Sequence, residues 1–262
     1  MIILSFDIEE FDMPFEYERE IDFKDQISIS IQGTNSILDL LKKHQVKATF
    51  FSTATFAINA PKVMERIVNE GHEVASHSYF HSDFKVEHLL ESKLKLEEVT
   101  GQKIIGYRMP RMYPVDEKEI YKAGYIYNSS INPTFLPGRY NNLDKPRTYY
   151  MQEGVIQIPA SVSPVVRFPL FWLSFHNLPL FLYKWLSKIT IKKDKYLNIY
   201  FHPWEFTDIS DKNRFNFPGY VSKNSGEKMI QRMDNFINSM KSQNYVFGTF
   251  SDLLKTINRK DY

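Results

Sequence analysis

The sequence predicts an α/β fold in which strands and helices alternate around a mainly parallel sheet. Apolar, β-rich runs such as residues 2–6 and 197–201 alternate with helix-like segments such as 61–70 and 86–99. This alternation is typical of parallel sheets whose strands are joined by helices. Seven or eight strands fit into the 262 residues, which indicates a barrel or a doubly wound sheet.

The first half of the chain contains three predicted strands and two predicted helices. In order, they are strand 2–6, helix 34–44, strand 48–51, helix 61–70 and strand 73–76. Thr34 is the predicted N-cap of the first helix. Pro61 in the first turn and Gly71 after the last turn delimit the second helix.

The second half continues the alternation but contains one long irregular stretch. The predicted elements are helices 86–99, 116–123 and 225–242, and strands 103–107, 125–127, 155–158, 197–201 and 245–250. The methionine-rich stripe of helix 225–242 is typical of core packing. Residues 131–165 have few regular signals and are expected to form long loops over one face.

Composition excludes several classes of function. The chain contains no cysteine, so a metal site would have to use His, Asp or Glu, and thiol chemistry and disulfides are excluded. Lys+Arg (33) nearly balance Asp+Glu (31), which gives no electrostatic indication of nucleic-acid binding. Aromatic residues make up 15% of the chain and can line a sugar-binding cleft as well as a core.

The N-terminal residues do not resemble a signal peptide, and no apolar run is long enough to span a bilayer, so a cytoplasmic location is expected.

The aromatic segment 168–186 has two interpretations. It could pack inside the helical shell, or it could form an interfacial patch beside a lipid-linked substrate. In the second case Lys184, Lys188, Lys192 and Lys193 would lie near lipid head groups.

The stretch from His77 to His81 is the strongest functional signal. Two imidazoles stand four residues apart, directly after a strand. Four residues make about one helical turn, so both rings could face one point, as two ligands of a metal site do. The isolated histidines His44, His88 and His176 are interpreted as surface or core residues.

Chemically active side chains also follow other predicted strands. Asp7, Glu9 and Glu10 come after the first strand, Arg108 follows strand 103–107, and His202 follows strand 197–201. In barrels and open α/β sheets, the carboxyl ends of the strands form the edge where active sites lie. These side chains are therefore expected to converge.

With these motifs in order, the chain resembles the polysaccharide deacetylase family. The matching segments are Ser5-Phe6-Asp7, residues 47–51, residues 71–81, Gly106-Tyr107-Arg108-Met109-Pro110 and residues 200–205. The last segment has the form of an exopolysaccharide-linked branch. The resemblance covers residues 1 to about 255. It implies a single catalytic domain over residues 1–262, folded as a distorted (β/α) barrel of seven or eight strands.

The resemblance also implies a divalent-metal N-deacetylase acting on an N-acetylated sugar that is free, polymeric or lipid-linked. His77 and His81 would bind the ion, with zinc expected. The usual second aspartate is replaced by Ile8. Because alternate residues of an extended segment face the same side, Glu9 is predicted as the third ligand, with Glu10 and Asp12 as rivals.

Further roles follow from the same resemblance. Asp7 would be the base, paired with Arg108, and His202 the acid. A backbone N–H near Arg111 would contact the oxyanion, and Trp204 would form a wall of the acetyl pocket. Two other functions stay open: a metal-independent hydrolase of small cyclic amides, and an inactive carbohydrate-binding relic. The sequence does not predict the oligomeric state.

Overall fold

A curled β-sheet forms the centre of the protein, and the computed structural model describes residues 1–257 of the chain. The strands in this part of the chain are β1 (Ile2–Ile8), β2 (Thr49–Ser52), β3 (Glu73–Ser76), β4 (Gly106–Tyr107), β5 (Tyr127–Asn128), β6 (Phe135–Leu136), β7 (Tyr140–Asn141), β8 (Tyr150–Gln152), β9 (Val155–Gln157), β10 (Leu197–Phe201) and β11 (Phe247–Gly248).

The main sheet has the strand order β10-β1-β2-β3-β4-β5-β9-β8, and β11 also pairs with β1. All of these pairs are parallel except β8–β9. The chain after β9 returns to β10, where the Ser161 N–H donates to the Asn198 carbonyl oxygen at 2.9 Å. The expected distorted (β/α) barrel is therefore confirmed. It is a curled sheet in which the hydrogen bond between Ser161 and Asn198, rather than a continuous strand pair, joins the chain after β9 to β10.

Helices surround this sheet. They are α1 (Phe23–His44), α2 (Ala54–Asn59), α3 (Pro61–Asn69), α4 (Glu87–Thr100), α5 (Glu117–Lys122), α6 (Trp172–Asn177), α7 (Leu180–Asp194), α8 (Lys212–Phe215), α9 (Gly219–Ser222), α10 (Glu227–Lys241) and α11 (Phe250–Thr256). The 3₁₀ turns among the described residues are Met13–Tyr17, Pro110–Met112 and Pro203–Phe206. No helix within residues 1–257 is both long enough and apolar enough to cross a bilayer.

Alternation along β1 separates the two sides of the sheet. Leu4, Phe6 and Ile8 belong to the large core between the sheet and the helices. Ile3 packs on the opposite side, inside the barrel, with Phe51 and other residues of a second core. Ser5 and Asp7 share the side of Ile3, because side chains two residues apart in a strand face the same way.

The first helix is twice as long as predicted. It begins at Phe23 rather than at Thr34, and Thr34 lies inside it, where its hydroxyl donates to the Ser30 carbonyl oxygen at 2.7 Å. Gly33 also lies inside this helix, although glycine weakens helices. Here Gly33 instead permits contact: a Cβ at this position would lie 1.9 Å from the Pro203 carbonyl oxygen.

Other differences concern short elements. Strand 103–107 shrinks to two residues, and the predicted strand 245–250 shrinks to β11, followed at once by α11. The stretch 131–165 is not only loop, since it contains the β6–β7 hairpin and the β8–β9 pair. The aromatic segment 168–186 folds into α6 and the first part of α7.

Candidate metal centre and active site

Asp7 and Arg108 form a buried ion pair inside the barrel. The Arg108 Nη1 donates to Asp7 Oδ1 at 2.5 Å, and neither residue is more than 3% exposed. Burial alone would raise the pKa of Asp7, but Arg108, His77 and His202 outweigh it and lower that pKa. Asp7 is therefore an ionised carboxylate able to accept a proton at neutral pH.

Arg108 is held from all sides. Its other nitrogens donate to Ser5 Oγ and Ser129 Oγ, each at 3.1 Å, and to the Ser129 carbonyl oxygen at 3.0 Å. The guanidinium also lies 4.0 Å from the ring centroid of Phe51, a cation–π distance. This rigid environment fixes the position of Asp7.

Glu9, His77 and His81 bring three ligand atoms together. Glu9 Oε2 lies 3.0 Å from His77 Nε2 and 3.1 Å from His81 Nε2, and all three side chains are nearly buried. Glu9 Oε2 is buried without a hydrogen-bond partner. Within residues 1–257 this is the only group of three His or acidic residues with ligand atoms this close together.

The other nitrogen of each imidazole is already engaged. His77 Nδ1 donates to the Arg108 carbonyl oxygen at 2.8 Å, since a carbonyl can only accept. His81 Nδ1 lies 2.7 Å from Asp12 Oδ1. These contacts turn the Nε2 lone pairs of both rings toward Glu9, which is the usual arrangement around a metal-bound histidine.

Electrostatics also favour a cation at this point. Burial, together with Asp7 and Asp12, raises the pKa of Glu9 well above its usual range. Burial lowers the pKa of His81, but Glu9 and Asp12 outweigh it and raise that pKa. One carboxylate oxygen and two imidazole nitrogens that converge in this way form a donor set that a divalent ion such as zinc accepts.

Glu10 and Asp12, the two other candidate ligands, form hydrogen bonds with other side chains. Glu10 accepts a hydrogen bond from Thr53 Oγ1 at 2.5 Å. Asp12 orients His81 and also accepts from Ser82 and from Arg111 at 3.3 Å. Burial opposes its ionisation, but its bonds to His81 and Ser82 outweigh this and lower the pKa of Asp12 to about 2. Neither acid belongs to the three-atom cluster.

The two histidines lie in a loop, so their shared direction does not come from the helical turn that their spacing suggested. Residues 77–81 form a loop in which Ser78 adopts a left-handed conformation with φ 71°. The Ala54 and Thr55 N–H groups at the start of α2 hold this loop by donating to the Ser78 and Tyr79 carbonyl oxygens. The centroids of the His77 and His81 rings are 5.8 Å apart.

Arg111 lies at the rim of the site. Its backbone is left-handed, with φ 54°, and its side chain donates to Glu16 at 2.8 Å and to Ser82 at 3.0 Å. Together with its contact to Asp12, this braces the His81 loop. The side chain therefore has a clear structural role, beside the predicted contact of a nearby backbone N–H with substrate.

His202 lies directly after the end of β10. Its Nδ1 is 3.0 Å from Glu205 Oε1, and the same oxygen accepts the His202 backbone N–H at 2.6 Å. Trp204 stacks on the His202 ring at 5.1 Å between centroids. Burial raises the pKa of Glu205 to about 7, although the hydrogen bonds from His202 lower it.

His176, which lies in the core, contacts the other carboxylate oxygen of Glu205. Its Nε2 lies 2.9 Å from Glu205 Oε2, and both side chains are fully buried. Burial, with Arg232 and Lys223, lowers the pKa of His176 to about 3, so it is neutral and donates to Glu205. His176 was predicted as an ordinary surface or core histidine; its contact with Glu205 joins residues far apart in sequence.

One cleft opens over these groups. It exposes Asp7, Glu9, His77, His81 and His202 on one side. The remaining wall is largely aromatic, and includes Tyr17, Tyr140, Phe171, Trp172, Tyr200 and Trp204. Apolar ring faces beside polar groups form a surface suited to a ligand with both characters.

The chain is similar in sequence to polysaccharide deacetylases. The profile of the family described as polysaccharide deacetylase matches residues 22–123, a segment that contains His77, His81 and Arg108 but not Asp7, Glu9 or His202. A chitooligosaccharide deacetylase of Bradyrhizobium sp. (strain ANU 289) is 36% identical over 81 residues, which are 31% of this chain and 36% of that protein. The chain matches about a third of the length of its curated relatives.

Similarity of fold extends further than similarity of sequence. A putative polysaccharide deacetylase from Mycobacterium smegmatis superimposes with a TM-score of 0.68 at 17% identity, covering 99% of this chain and 90% of that one. Puue allantoinase superimposes with a TM-score of 0.67 at 17% identity, covering 97% and 88% of the two chains. At this identity the superpositions show a shared fold.

Proposed function

We propose that this chain belongs to the polysaccharide deacetylase family (carbohydrate esterase family 4) and is a divalent-metal N-deacetylase of an N-acetylated amino sugar. One observation carries the proposal: the buried, unpartnered Glu9 Oε2 faces the Nε2 atoms of His77 and His81. The proposal treats residues 1–262 as one catalytic domain, with the cleft as the sugar site.

The ion we propose is zinc, held by Glu9, His77 and His81. One carboxylate oxygen and two imidazole nitrogens, without any thiolate, form a donor set that zinc accepts while keeping open positions. When bound, such an ion polarises a carbonyl group and makes water more acidic. Asp12 and the Arg108 carbonyl oxygen would keep both imidazoles in the ligand-competent tautomer.

The chain's own residues supply the proton transfers. Asp7, kept ionised by Arg108, accepts a proton from the water that attacks the acetyl carbon. His202 donates a proton to the amide nitrogen as the C–N bond breaks, which releases acetate and a free amine. Steps of this kind each contribute about 10²–10⁴-fold to the rate.

Two neighbouring groups would orient the substrate. A backbone N–H near Arg111 would donate to the acetyl oxygen as negative charge develops there. Trp204, stacked on His202, would form a wall against the acetyl methyl group. Glu205 and His176 would hold the His202 ring in position.

The substrate class rests on the family and on the aromatic cleft. Relatives with a chitooligosaccharide or peptidoglycan specificity point to N-acetylated glucosamine-type sugars. We assign the chain to an exopolysaccharide-linked branch on its His202-Pro203-Trp204-Glu205 segment. In that setting the sugar would be polymeric or lipid-linked.

Acetate release from a panel of N-acetylated glucosamine oligomers tests the proposal. Activity should disappear after chelation, return with zinc, and be absent from a Glu9→Gln variant. A protein that is equally active without metal would contradict it, and hydrolysis of a cyclic ureide instead would favour the metal-independent alternative. Binding to the oligomers without hydrolysis would favour the inactive relic.

A further inference from the structure

The surface of α7 has an unusual distribution of side chains. Its buried side includes the small hydroxyl residues Ser187 and Thr190, whose hydroxyl groups donate to carbonyl oxygens of the preceding turn. Phe181 and Trp185 instead point to solvent, 76% and 55% exposed. Two of the three aromatic side chains of α7, Phe181 and Trp185, are therefore exposed, although small residues occupy part of the core side.

Helical geometry explains why these aromatics cannot also reach the core. Tyr183 anchors the inner side of α7 through ring contacts with Phe175 at 4.9 Å and Phe236 at 5.9 Å. Phe181 and Trp185 are each two residues away from Tyr183, which is about 200° of rotation at roughly 100° per residue. They consequently lie on the opposite side of the helix.

A basic stripe runs beside the aromatic stripe. Phe181, Trp185 and Ile189 follow one another at intervals of four residues, as do Lys184, Lys188 and Lys192. Residues at this spacing are neighbours on a helix surface. We call these six residues the outer face of α7. No Asp or Glu occurs between residues 180 and 193.

The lysines of the outer face are not neutralised by the protein itself. Within the described part of the chain, residues 1–257, no carboxylate forms an ion pair with Lys184, Lys188 or Lys192. The acid that ends the helix, Asp194, is paired with Arg147. The outer face therefore carries uncompensated positive charge along an exposed aromatic stripe.

We propose that the outer face of α7 is a docking surface for an anionic lipid bilayer. Tryptophan and phenylalanine side chains partition into the interfacial region of membranes, and nearby lysines are attracted to anionic head groups. Three regularly spaced lysines can each contact a head group of an anionic bilayer. A single carboxylate on a protein partner could pair with only one of them. With only three apolar residues, binding should be reversible and weakened by salt.

The docking surface is close in the chain to the proposed sugar site. Helix α6, which precedes α7, contributes Trp172 and Leu173 to the cleft wall. Docking through α7 would therefore hold the cleft near a membrane and favour a lipid-linked substrate. This inference does not depend on the proposed deacetylase activity, because binding to lipid needs neither metal nor sugar.

Co-sedimentation of the full chain with lipid vesicles tests the proposal. The protein should sediment with phosphatidylglycerol-containing vesicles at low ionic strength, and much less with pure phosphatidylcholine vesicles. The double variant Phe181→Ser/Trp185→Ser should bind about tenfold more weakly. The triple variant Lys184→Gln/Lys188→Gln/Lys192→Gln should lose about tenfold or more, with a weaker salt dependence.

Matched controls lie on α5, where Tyr121 is 59% exposed and Lys118 is also exposed. Tyr121→Ser and Lys118→Gln should bind vesicles as the unmodified chain does. Circular dichroism checks that every variant is folded.

Brominated lipids should also quench tryptophan fluorescence in the unmodified chain but not in Trp185→Ser, since Trp204 is buried and Trp172 is only partly exposed.

Three outcomes would overturn the assignment. They are no sedimentation with anionic vesicles, unchanged binding by the folded α7 variants, and an equal loss of binding in the α5 controls. Capture of the outer face by an acidic protein, without any vesicle binding, would likewise replace the lipid with a protein partner.

Discussion

At the scale of single residues, Asp7 and Glu9 at the end of β1 have different environments. Asp7 pairs with Arg108 inside the barrel, and Glu9, two positions later, faces His77 and His81. Ile8 between them packs into the opposite core, under the helices. An acid at position 8 would be buried among apolar side chains, so the proposed base and ligand are separated by one residue.

Replacement of Asp7 tests its proposed role. Asp7→Asn should lower kcat by about 10²–10⁴-fold, because the amide cannot accept a proton from the attacking water. It keeps nearly the same shape beside Arg108, so circular dichroism should be unchanged. Steady-state acetate release with a verified substrate measures the effect, and near-normal turnover would contradict the assignment of Asp7 as base.

Some of these residue positions could be predicted from the sequence and others could not. The period of two in extended chain places Asp7 and Glu9 on one side. Glu9 lies close to His77 and His81, and its role as a ligand stays a prediction. Glu205 is three residues from His202, a spacing that could have revealed the pair. His176 gave no local signal, since its contact with Glu205 depends on how α6 packs against β10.

At the scale of elements, the turn that follows β10 is positioned by the long helix α1. Pro203 approaches the backbone of α1 at Gly33 so closely that no other side chain fits there. Helix α1 also holds the other side of the site, because Ser30 Oγ donates to the Glu9 carbonyl oxygen at 2.6 Å. One helix thus positions both Glu9 and the His202 turn.

A methyl group at Gly33 should disturb this contact. In an ordinary helix interior, Gly→Ala would stabilise by roughly 1 kcal/mol. Gly33→Ala should instead destabilise by about 1–3 kcal/mol, since the Cβ would overlap the Pro203 backbone. Urea unfolding measures this difference.

Gly219→Ala is the matched control, because a Cβ there has no neighbour within 4 Å. It should be neutral or slightly stabilising. Equal stability of the two variants would show that the close approach of α1 to the Pro203 turn is not important.

The same turn should determine how activity depends on pH. Glu205 accepts hydrogen bonds from His202 best when ionised, and burial raises its pKa to about 7. Activity should therefore rise as pH increases through about 7. The lowered pKa of Asp7 places its own titration at much lower pH.

Glu205→Gln should reduce kcat and remove this rise, while binding of the substrate changes little. A pH–rate profile of both proteins is the measurement. An unchanged profile in the variant would exclude Glu205 as the group that titrates.

Elements with strong local signals were predicted better than elements formed by tertiary contacts. Helix α3 begins at Pro61 and β3 covers residues 73–76, as expected. The first eleven residues of α1 were missed, because Gly33 and several serines weaken the helical signal. The convergence of His77 and His81 was argued from the length of a helical turn, but here a loop held by α2 brings the two rings together.

At the scale of the whole molecule, the parallel sheet brings distant residues to one edge. Asp7 lies in the last part of β1 and Glu9 directly follows this strand. His77 follows β3, Arg108 follows β4 and His202 follows β10. Because parallel strands end on the same side, residues as far apart as 7 and 202 meet at one cleft. This convergence was predictable from the order of elements, whereas the contribution of Tyr140, Phe171 and Trp172 to the aromatic wall was not.

Metal binding should stabilise the entire fold. An ion held by three residues from two strand ends binds the folded chain far more tightly than the unfolded chain, so it raises Tm. Addition of zinc to metal-free protein should increase Tm in a concentration-dependent way. Glu9→Gln should show a much smaller shift, and Glu10→Gln, whose carboxylate bonds to Thr53 instead, should respond like the unmodified chain.

The metal content of the purified protein, measured by elemental analysis beside acetate release, tests the central proposal most directly. We expect one divalent ion per chain, with both the ion and the deacetylase activity lost in Glu9→Gln and retained in Glu10→Gln. An active protein without bound metal, or full metal binding by Glu9→Gln, would contradict it.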